Sequence, residues 1–193
     1  GSGQRMGSAV PKQYLKIHGK PLLRYSIETF MSMPECTSLQ VIINPDDADL
    51  YHEAVTGLNV SAPVHGGEER NQSIYNALKN NSNIKNEDII LVHDGARPLI
   101  TIENIQSLLL SLKTAAAASL AVPMNATLRR ANKDQHAEEQ VTRDGLWAMQ
   151  TPQGFRYGDL LKAHEAADPN INYTDDTALV SAMNIPVKLV EAS

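Results

Sequence analysis

The feature that most constrains this chain is a regular alternation of short apolar runs with longer amphipathic segments. The clearest apolar run, at 88–93, is unbroken and ends in a polar turn, which is typical of a buried strand. Patterns with helical spacing precede and follow it. Strands that alternate with helices form a mostly parallel sheet whose faces the helices cover. The alternation therefore predicts an α/β fold of this kind.

The predicted elements follow one another along most of the chain. Strands are predicted at about 39–43, 60–64, 88–93, 116–122 and 187–190. Helices are predicted from Pro21 to about Met31 and at about 46–56, 69–80, 101–113, 157–167 and 175–183. The chain has 193 residues, of which 42% are hydrophobic, so it can bury the core of one domain, and we assign 1–193 to that domain.

The regular pattern ends at Pro123. From there to about Trp147 the chain is polar, with two β-like pieces at 127–130 and 139–143. These pieces predict a hairpin arm that projects from the domain. Because two short polar strands are not stable alone, we expect the arm to contact another surface, such as a second subunit.

Composition excludes several classes of protein. A net charge of −5 without a basic stripe argues against nucleic acid as the main partner. Cys36 is the only cysteine, so an internal disulfide is impossible and a reducing cytoplasm is the expected location. The six histidines have no spacing typical of a zinc site. No apolar run reaches the roughly 20 residues that span a bilayer, and no signal peptide is evident.

The first twelve residues are suited to binding a polyphosphate. Glycines such as Gly1 and Gly3 let backbone N–H groups approach an anion, while Arg5 and Lys12 can neutralise its charge. Because such a loop normally follows a buried strand, we expect one before it; either that strand lies outside this sequence or the loop is weakly anchored. A glycine-rich stretch can also be a simple turn.

Two common phosphate loops do not fit this segment. A Walker A loop needs Lys and then Ser or Thr directly after its last glycine, but Gly7 is followed by Ser8 and the lysine comes later. In the dinucleotide fingerprint the third glycine would come one residue earlier, and the expected acid is absent because Glu28 falls within a predicted helix. The segment is therefore predicted to be a third kind of nucleotide loop, and a dehydrogenase is the weakest candidate.

Asp94 follows the clearest predicted strand, at the edge where ligands bind in open α/β sheets. Mg²⁺ usually takes one or two carboxylates and completes its shell with waters and phosphate oxygens, so Asp94 is a candidate ligand. Asp94-Gly95 alone is equally consistent with a turn. The phosphate loop favours the metal site.

Three other polar segments are weaker candidates. The segment 66–73 opens a predicted helix with two glycines, which allow a flat ligand to approach the backbone. The segment 174–176 is also typical of a helix N-cap. Arg143 could be a solvated arm residue, as lone polar residues on an arm usually are.

Taken together, these motifs resemble one family, the 2-C-methyl-D-erythritol 4-phosphate cytidylyltransferases of the non-mevalonate isoprenoid pathway. The resemblance covers the whole chain and rests on G-S-G-Q-R-M and P-K-Q-Y-L at 1–15, G-G-E-E-R-N-Q-S at 66–73, V-H-D-G-A-R-P at 92–98, R-D-G-L-W-A-M-Q-T-P-Q at 143–153 and T-D-D at 174–176. The run at 151–164 looks most like the bifunctional members, in which a cyclodiphosphate synthase domain follows. Nothing of that domain is present in this sequence.

The resemblance implies a three-layer α/β/α nucleotidyltransferase that uses CTP, a polyol phosphate and Mg²⁺, and a homodimer with exchanged arms. Arg5 and Lys12 would be catalytic and stabilise the charge on the α-phosphate. The nucleotide would contact Gly1, Ser2, Gly3, Gly67, Glu68, Ser73 and Asp94, and Asp94 would hold the Mg²⁺. The polyol phosphate would contact Gly95, Thr127, Arg143, Thr151 and Thr174, with Thr127 and Arg143 reaching across the dimer. No Ser-His-Asp or Cys-His set is needed, because phosphoryl-type transfer depends on positioning and electrostatics.

Three departures from the family pattern are visible. The family has a strand and paired alanines before the loop and a segment with a phosphate-binding lysine near its end, and this sequence contains neither. It also has Asn125-Ala126-Thr127 where an Asp-Thr pair is usual. Two other functions stay open, a ribitol-5-phosphate cytidylyltransferase with the same chemistry and a nucleotide-binding module without turnover.

Overall fold

The computed structural model describes residues 10–81 and 83–192. The strands are β1 Lys16–Ile17, β2 Lys20–Pro21, β3 Ile42–Ile43, β4 Val64–His65, β5 Ile89–Val92, β6 Ala117–Pro123, β7 Leu128–Ala131, β8 Ala137–Val141, β9 Trp147–Arg156 and β10 Val187–Glu191. The helices are α1 Leu22–Met31, α2 Ala48–Val55, α3 Arg70–Lys79, α4 Ile102–Leu112, α5 Tyr157–Glu165 and α6 Asp176–Ala182, with 3₁₀ turns at Lys12–Tyr14 and Pro45–Asp47. Apart from β9 and the small β1–β2 hairpin, every strand and α-helix matches a predicted element.

The central sheet has four strands in the order β10, β6, β9, β5. β10 runs parallel to β6, whereas β9 is antiparallel to both of its neighbours, β6 and β5. Three of the four strands therefore run in one direction, as a mostly parallel sheet requires. β3 and β4 form a separate parallel pair.

The strand β9 is absent from the sequence-based assignment. Its middle contains Gln150, Thr151, Pro152, Gln153 and Gly154, which do not form an apolar run. Residues 151–155 are nevertheless buried, because β9 lies between two other strands of the sheet. The side chain of Gln153 is polar but pairs with Asp175, so its burial does not leave the amide N–H without a partner.

Helices cover both faces of the central sheet. On one face, buried residues of α4 pack with Ala118 and Leu120 of β6, and Ile89 and Leu91 of β5 pack against that cluster. On the other face, residues of α3, α5 and α6 pack with Ala117 and Phe155, joined by the alternate β5 residues. This arrangement confirms the three-layer α/β/α fold, because successive residues of a strand point to opposite faces.

The β3–β4 pair is joined to the rest of the domain through both of its faces. Ile42 packs against the cluster formed by α3, α5 and α6. The next residue, Ile43, is buried with Tyr14 of the first 3₁₀ turn, with Leu23 and Ile27 of α1, and with residues of α2. Two neighbouring residues of one short strand thus connect two clusters.

The arm predicted at 123–147 contains the antiparallel hairpin β7–β8, which lies between β6 and β9 in the chain. Nearly all of its residues are exposed, and only the ends, Leu128 and Val141, are partly covered. Within 10–81 and 83–192, no helix is long and apolar enough to cross a membrane.

Candidate active site

The antiparallel pairing of β5 with β9 brings Asp94 next to Thr151. Val92 pairs with Gln153 at the end of β5, and continuing the register by two residues sets Asp94 opposite Thr151. The backbone N–H of Asp94 donates to Thr151 Oγ1 at 3.2 Å. Two of the predicted site residues, which are 57 positions apart in the chain, therefore meet at the carboxyl end of β5.

His93 fixes the orientation of the Thr151 hydroxyl. Its Nε2 lies 3.1 Å from the carbonyl oxygen of Arg97, which can only accept, so Nε2 carries the proton. Burial lowers the pKa of His93, so the ring is neutral and Nδ1 is an acceptor. The Thr151 hydroxyl, 3.0 Å from Nδ1, therefore donates to it. One lone pair of the Thr151 oxygen is therefore not used by His93 or Asp94, in a residue that is 9% exposed.

Asp94 and Arg97 form an ion pair at the mouth of the same turn. Arg97 Nε lies 2.9 Å from Asp94 Oδ2, and the guanidinium also donates to Gln150 Oε1. The two side chains are 41% and 44% exposed, so a ligand can reach both of them. This is a carboxylate beside a guanidinium, a combination that can hold a cation and a phosphate side by side.

The described residues contain no group of three or more His, Cys, Asp or Glu side chains that could enclose a metal ion. Asp94 is a single accessible carboxylate with one oxygen paired to Arg97. Mg²⁺ is often bound by one or two carboxylates together with waters and substrate phosphates. The side chains present fit a metal shared with bound phosphates, and they do not form an all-protein cage.

The two glycines of 66–67 pack directly on the start of α3. A Cβ atom on Gly66 would lie 2.8 Å from Ser73 Oγ, and one on Gly67 would lie 2.1 Å from a carbon of Gln72. The buried Ser73 hydroxyl accepts from the N–H of Gly67 at 3.0 Å and donates to the carbonyl of Glu69 at 2.8 Å. Ser73 thus holds the loop on α3, while Glu68 is exposed to solvent.

The segment 174–176 is linked to β9 by a hydrogen bond between Asp175 and Gln153. Asp175 is the N-cap of α6, since its Oδ1 accepts from Ala178 N at 2.9 Å. Its other oxygen accepts from Gln153 Nε2 at 2.9 Å, two residues from Thr151 on the same strand. Thr174, the predicted substrate contact, precedes this cap and is exposed. The predicted N-cap is thus confirmed, and the same residue ties the segment after Thr174 to β9.

Lys12 lies in the 3₁₀ turn before β1 and is exposed. The turn is anchored through Tyr14, which is buried in the same cluster as Leu23 of α1. A Cβ atom on Gly95 would lie 2.8 Å from Leu23, so α1 supports both the Lys12 turn and the Asp94–Gly95 turn. The other predicted residues of the phosphate loop, Gly1, Ser2, Gly3 and Arg5, lie outside the described residues.

Thr127 and Arg143 are brought together at the base of the arm. Both line a pocket of about 330 Å³ that also includes Gln140 and Asp144. The guanidinium of Arg143 donates to the carbonyl of Asn125. Both predicted residues are exposed. The hairpin therefore presents the two side chains on one surface.

Sequence reasoning missed four residues that organise the site. His93, Arg97, Gln150 and Gln153 orient the predicted residues and were assigned no role. The spacing of Asp94 and Arg97 was a usable signal, because residues three apart in a turn can form an ion pair, as these do. The two glutamines gave no such signal, since their partners depend on the position of β9.

Residues 1–193 match the family described as IspD, 2-C-methyl-D-erythritol 4-phosphate cytidylyltransferase. The chain belongs to this family. It is 37% identical to the 2-C-methyl-D-erythritol 4-phosphate cytidylyltransferase of Desulforamulus reducens, over all of this chain and 84% of that protein. It is 38% identical to the bifunctional enzyme IspD/IspF of Paramagnetospirillum magneticum, over all of this chain but 50% of that protein.

Solved structures of the family have the same fold. The crystal structure of 2-C-methyl-D-erythritol 4-phosphate cytidylyltransferase (IspD) from Francisella tularensis superposes with a TM-score of 0.85 and 31% identity, covering 95% of this chain and 85% of that one. The family resemblance predicted from the motifs is therefore confirmed.

Proposed function

We propose that this protein transfers the cytidylyl group of CTP to 2-C-methyl-D-erythritol 4-phosphate and releases pyrophosphate, a step of non-mevalonate isoprenoid biosynthesis. Membership of the IspD family supports this assignment. The structural observation that supports it is the meeting of Asp94 and Thr151 at the carboxyl end of β5, because it brings an accessible carboxylate and a hydroxyl to one sheet edge.

The cations of the first twelve residues would act on the α-phosphate of CTP. Its attack by the polyol phosphate develops negative charge, and Lys12 and Arg5 would stabilise that charge. Lys12 is exposed on a turn that is anchored by Tyr14, so its ammonium is accessible while its backbone is fixed. Fixed charge of this kind lowers a barrier without reorganisation during the reaction.

The loop at 66–69 would bind the cytidine. Gly67 is exposed and packs against Gln72 of α3, and Ser73 holds the loop by accepting from the Gly67 N–H. The resemblance assigns Glu68 to the same contact, and it is exposed as a ligand would require. A site that pairs with the exocyclic amine of cytosine would favour CTP over UTP, because the wrong base leaves a polar group unpaired.

The polyol phosphate would lie between the sheet edge and an arm. Thr151 would accept from a substrate hydroxyl with the lone pair that His93 and Asp94 leave unused. Thr174 is exposed and precedes Asp175, which accepts from Gln153 two residues along β9 from Thr151. Asp94 would hold Mg²⁺ together with the phosphates of CTP. The ion would offset the charge of those phosphates.

We further propose a homodimer in the cytoplasm, in which the arm of one subunit completes the site of the other. The hairpin β7–β8 is almost entirely exposed, and a two-stranded hairpin is at best marginally stable without support. Apolar side chains that are exposed near the base of the arm, Val122 and Leu146, support contact with a second copy. Thr127 and Arg143 would then face the partner's substrate.

The test is pyrophosphate release by the purified protein with CTP, Mg²⁺ and each of two polyol phosphates. We expect turnover with 2-C-methyl-D-erythritol 4-phosphate and much less with ribitol 5-phosphate. UTP replaces CTP as the base control, and chelator replaces Mg²⁺ as the metal control. CTP binding without pyrophosphate release would contradict the proposal and indicate a nucleotide-binding module.

A further inference from the structure

A buried carboxylate outside the predicted site has two partners on different helices. The side chain of Asp176, the first residue of α6, is fully buried. Its Oδ1 lies 3.1 Å from Nε2 of His164 on α5, and its Oδ2 lies 2.7 Å from Nη2 of Arg70 on α3. His164 in turn stacks on Tyr75 of α3. Three helices therefore meet at one ionised group.

This group links two segments of the proposed site whose relative position matters, the loop 66–69 and the segment that contains Thr174. Arg70 directly follows the loop 66–69, and Asp176 lies two residues after Thr174. A second contact runs the same way, since the amide of Asn71 donates to the carbonyl of Tyr173 at 3.4 Å. We call Arg70, Asn71, Tyr173 and Asp176 the loop junction. It joins the loop 66–69, proposed to bind the nucleotide, to the segment with Thr174, proposed to bind the polyol phosphate.

Stability alone is a weak reason for such a pair. Burial by itself raises the pKa of Asp176, but the hydrogen bond from His164 and the charge of Arg70 outweigh it and lower that pKa. Removing a charge from water is costly, and a buried ion pair replaced by apolar side chains often leaves a protein equally stable. What an ion pair adds is a defined distance and direction between its partners. At the loop junction, that defined geometry lies between two substrate segments.

We propose that Asp176 and Arg70 are positioning residues whose ion pair sets the distance between the loop 66–69 and Thr174, and so couples the binding of CTP to that of the polyol phosphate. The inference rests on the proposed function. Neither side chain needs to touch a substrate. Each residue belongs to one segment and holds the other segment through the ion pair. Removing either one should therefore affect the substrate bound at the other segment.

The experiment measures this crosswise effect in the full chain. Asp176→Asn keeps the size of the side chain and removes its charge, and Arg70→Met keeps most of the length and removes the cation. We expect Asp176→Asn to weaken CTP affinity, measured by calorimetry, and Arg70→Met to raise the KM for the polyol phosphate, each by about 5-fold or more. Arg70→Lys, which keeps a positive charge, should recover part of the loss.

Two controls separate positioning from general damage. Glu28→Gln removes a carboxylate of α1 that pairs with Lys20 of β2 and Arg24 of α1, away from the loop junction, and should leave both substrate affinities unchanged. Melting temperature and circular dichroism establish that each variant is folded. If Asp176→Asn does not fold, the Arg70 variants decide the question, because Arg70 is 31% exposed and Arg70→Lys keeps a cation beside the buried carboxylate.

The outcomes are distinct. Folded variants that lower the melting temperature but leave CTP affinity and the polyol KM unchanged would overturn the inference and make the ion pair merely structural. A change confined to the segment next to each substitution would overturn it as well. A wild-type protein that releases no pyrophosphate would instead refute the proposed function, and CTP affinity of Asp176→Asn would still decide the coupling to the nucleotide loop.

Discussion

The sheet edge and the arm supply site residues in different ways. At the sheet edge, Asp94 and Thr151 are held by hydrogen bonds to each other and to His93, within one chain. On the arm, Thr127 and Arg143 are exposed on a hairpin that buries little of its own surface. One half of the site is fixed by the fold, and the other half depends on what the arm contacts.

The loop junction and the arm differ in the same way in their ion pairs. Arg70 and Asp176 pair where the carboxylate is fully buried, whereas Arg130 and Glu139 of the arm pair at 3.2 Å with side chains 70% and 71% exposed. An exposed pair is screened by water and contributes little to stability. The contrast indicates that the pair at the loop junction is shielded from water, while the pair on the arm is not and adds little to stability.

The largest expected effect tests the sheet-edge half. Lys12→Ala should lower turnover by about 100-fold or more, because it removes a charge that acts on the transition state. Folding should survive, since Lys12 is exposed. Lys16→Ala is the matched control, because Lys16 is exposed on the neighbouring strand and pairs with Glu53 instead. Normal turnover of Lys12→Ala would remove the phosphate-loop assignment.

Metal dependence gives the next largest effect. Asp94→Asn should lower the rate by about 10-fold or more and raise the Mg²⁺ concentration needed for half-maximal rate, because a neutral amide cannot offset the divalent charge. The control is Asp88→Asn, at the other end of β5, where the carboxylate accepts from the backbone of Lys85. A rate that is equal in Asp94→Asn and wild type, or full activity in chelator, would contradict the metal site.

A mixing experiment tests whether the arm completes a neighbour's site. Lys12→Ala and Arg143→Ala carry their defects on the sheet-edge half and the arm half. If arms are exchanged across a two-fold axis, each mixed dimer has one site with both defects and one with neither. Half of the dimers are mixed after random exchange, so about a quarter of the sites should recover. If mixed samples stay inactive despite demonstrated subunit exchange, each arm serves its own subunit.

The order of the strands and helices was predictable because the spacing of apolar residues along the chain follows which side chains are buried. Apolar alternation identified β5, β6 and the helices around them to within a few residues, and these elements are the ones packed in the two clusters on the central sheet. β9 escaped detection because Thr151 and Gln153 are buried by pairing rather than by hydrophobicity. Such a strand becomes visible only when its neighbours are known.

Individual residues of the candidate site were predictable where they fall in a motif, but the contacts between them were not. Asp94 and Thr151 were both proposed from motifs, yet their contact follows from the antiparallel register of β5 and β9. Ser73 was proposed as a nucleotide contact, and its hydroxyl is engaged with the loop that it supports. Contacts between segments far apart in the chain depend on tertiary packing, which local patterns do not encode.

The smallest expected effect concerns the exposed pair on the arm and sharpens the contrast with the loop junction. Arg130→Ala removes the partner of Glu139, and because both side chains are mostly in water the melting temperature should change by less than about 2 °C. Turnover should stay at the wild-type level, since neither side chain lines the pocket with Thr127 and Arg143. Arg70→Met, measured beside it, removes an arginine from a buried carboxylate and should lower the melting temperature clearly more. Equal losses of melting temperature in the two variants would mean that the Arg130–Glu139 pair is as shielded from water as the loop junction. The arm would then have to be buried in the assembled protein along its outer face as well as at its base.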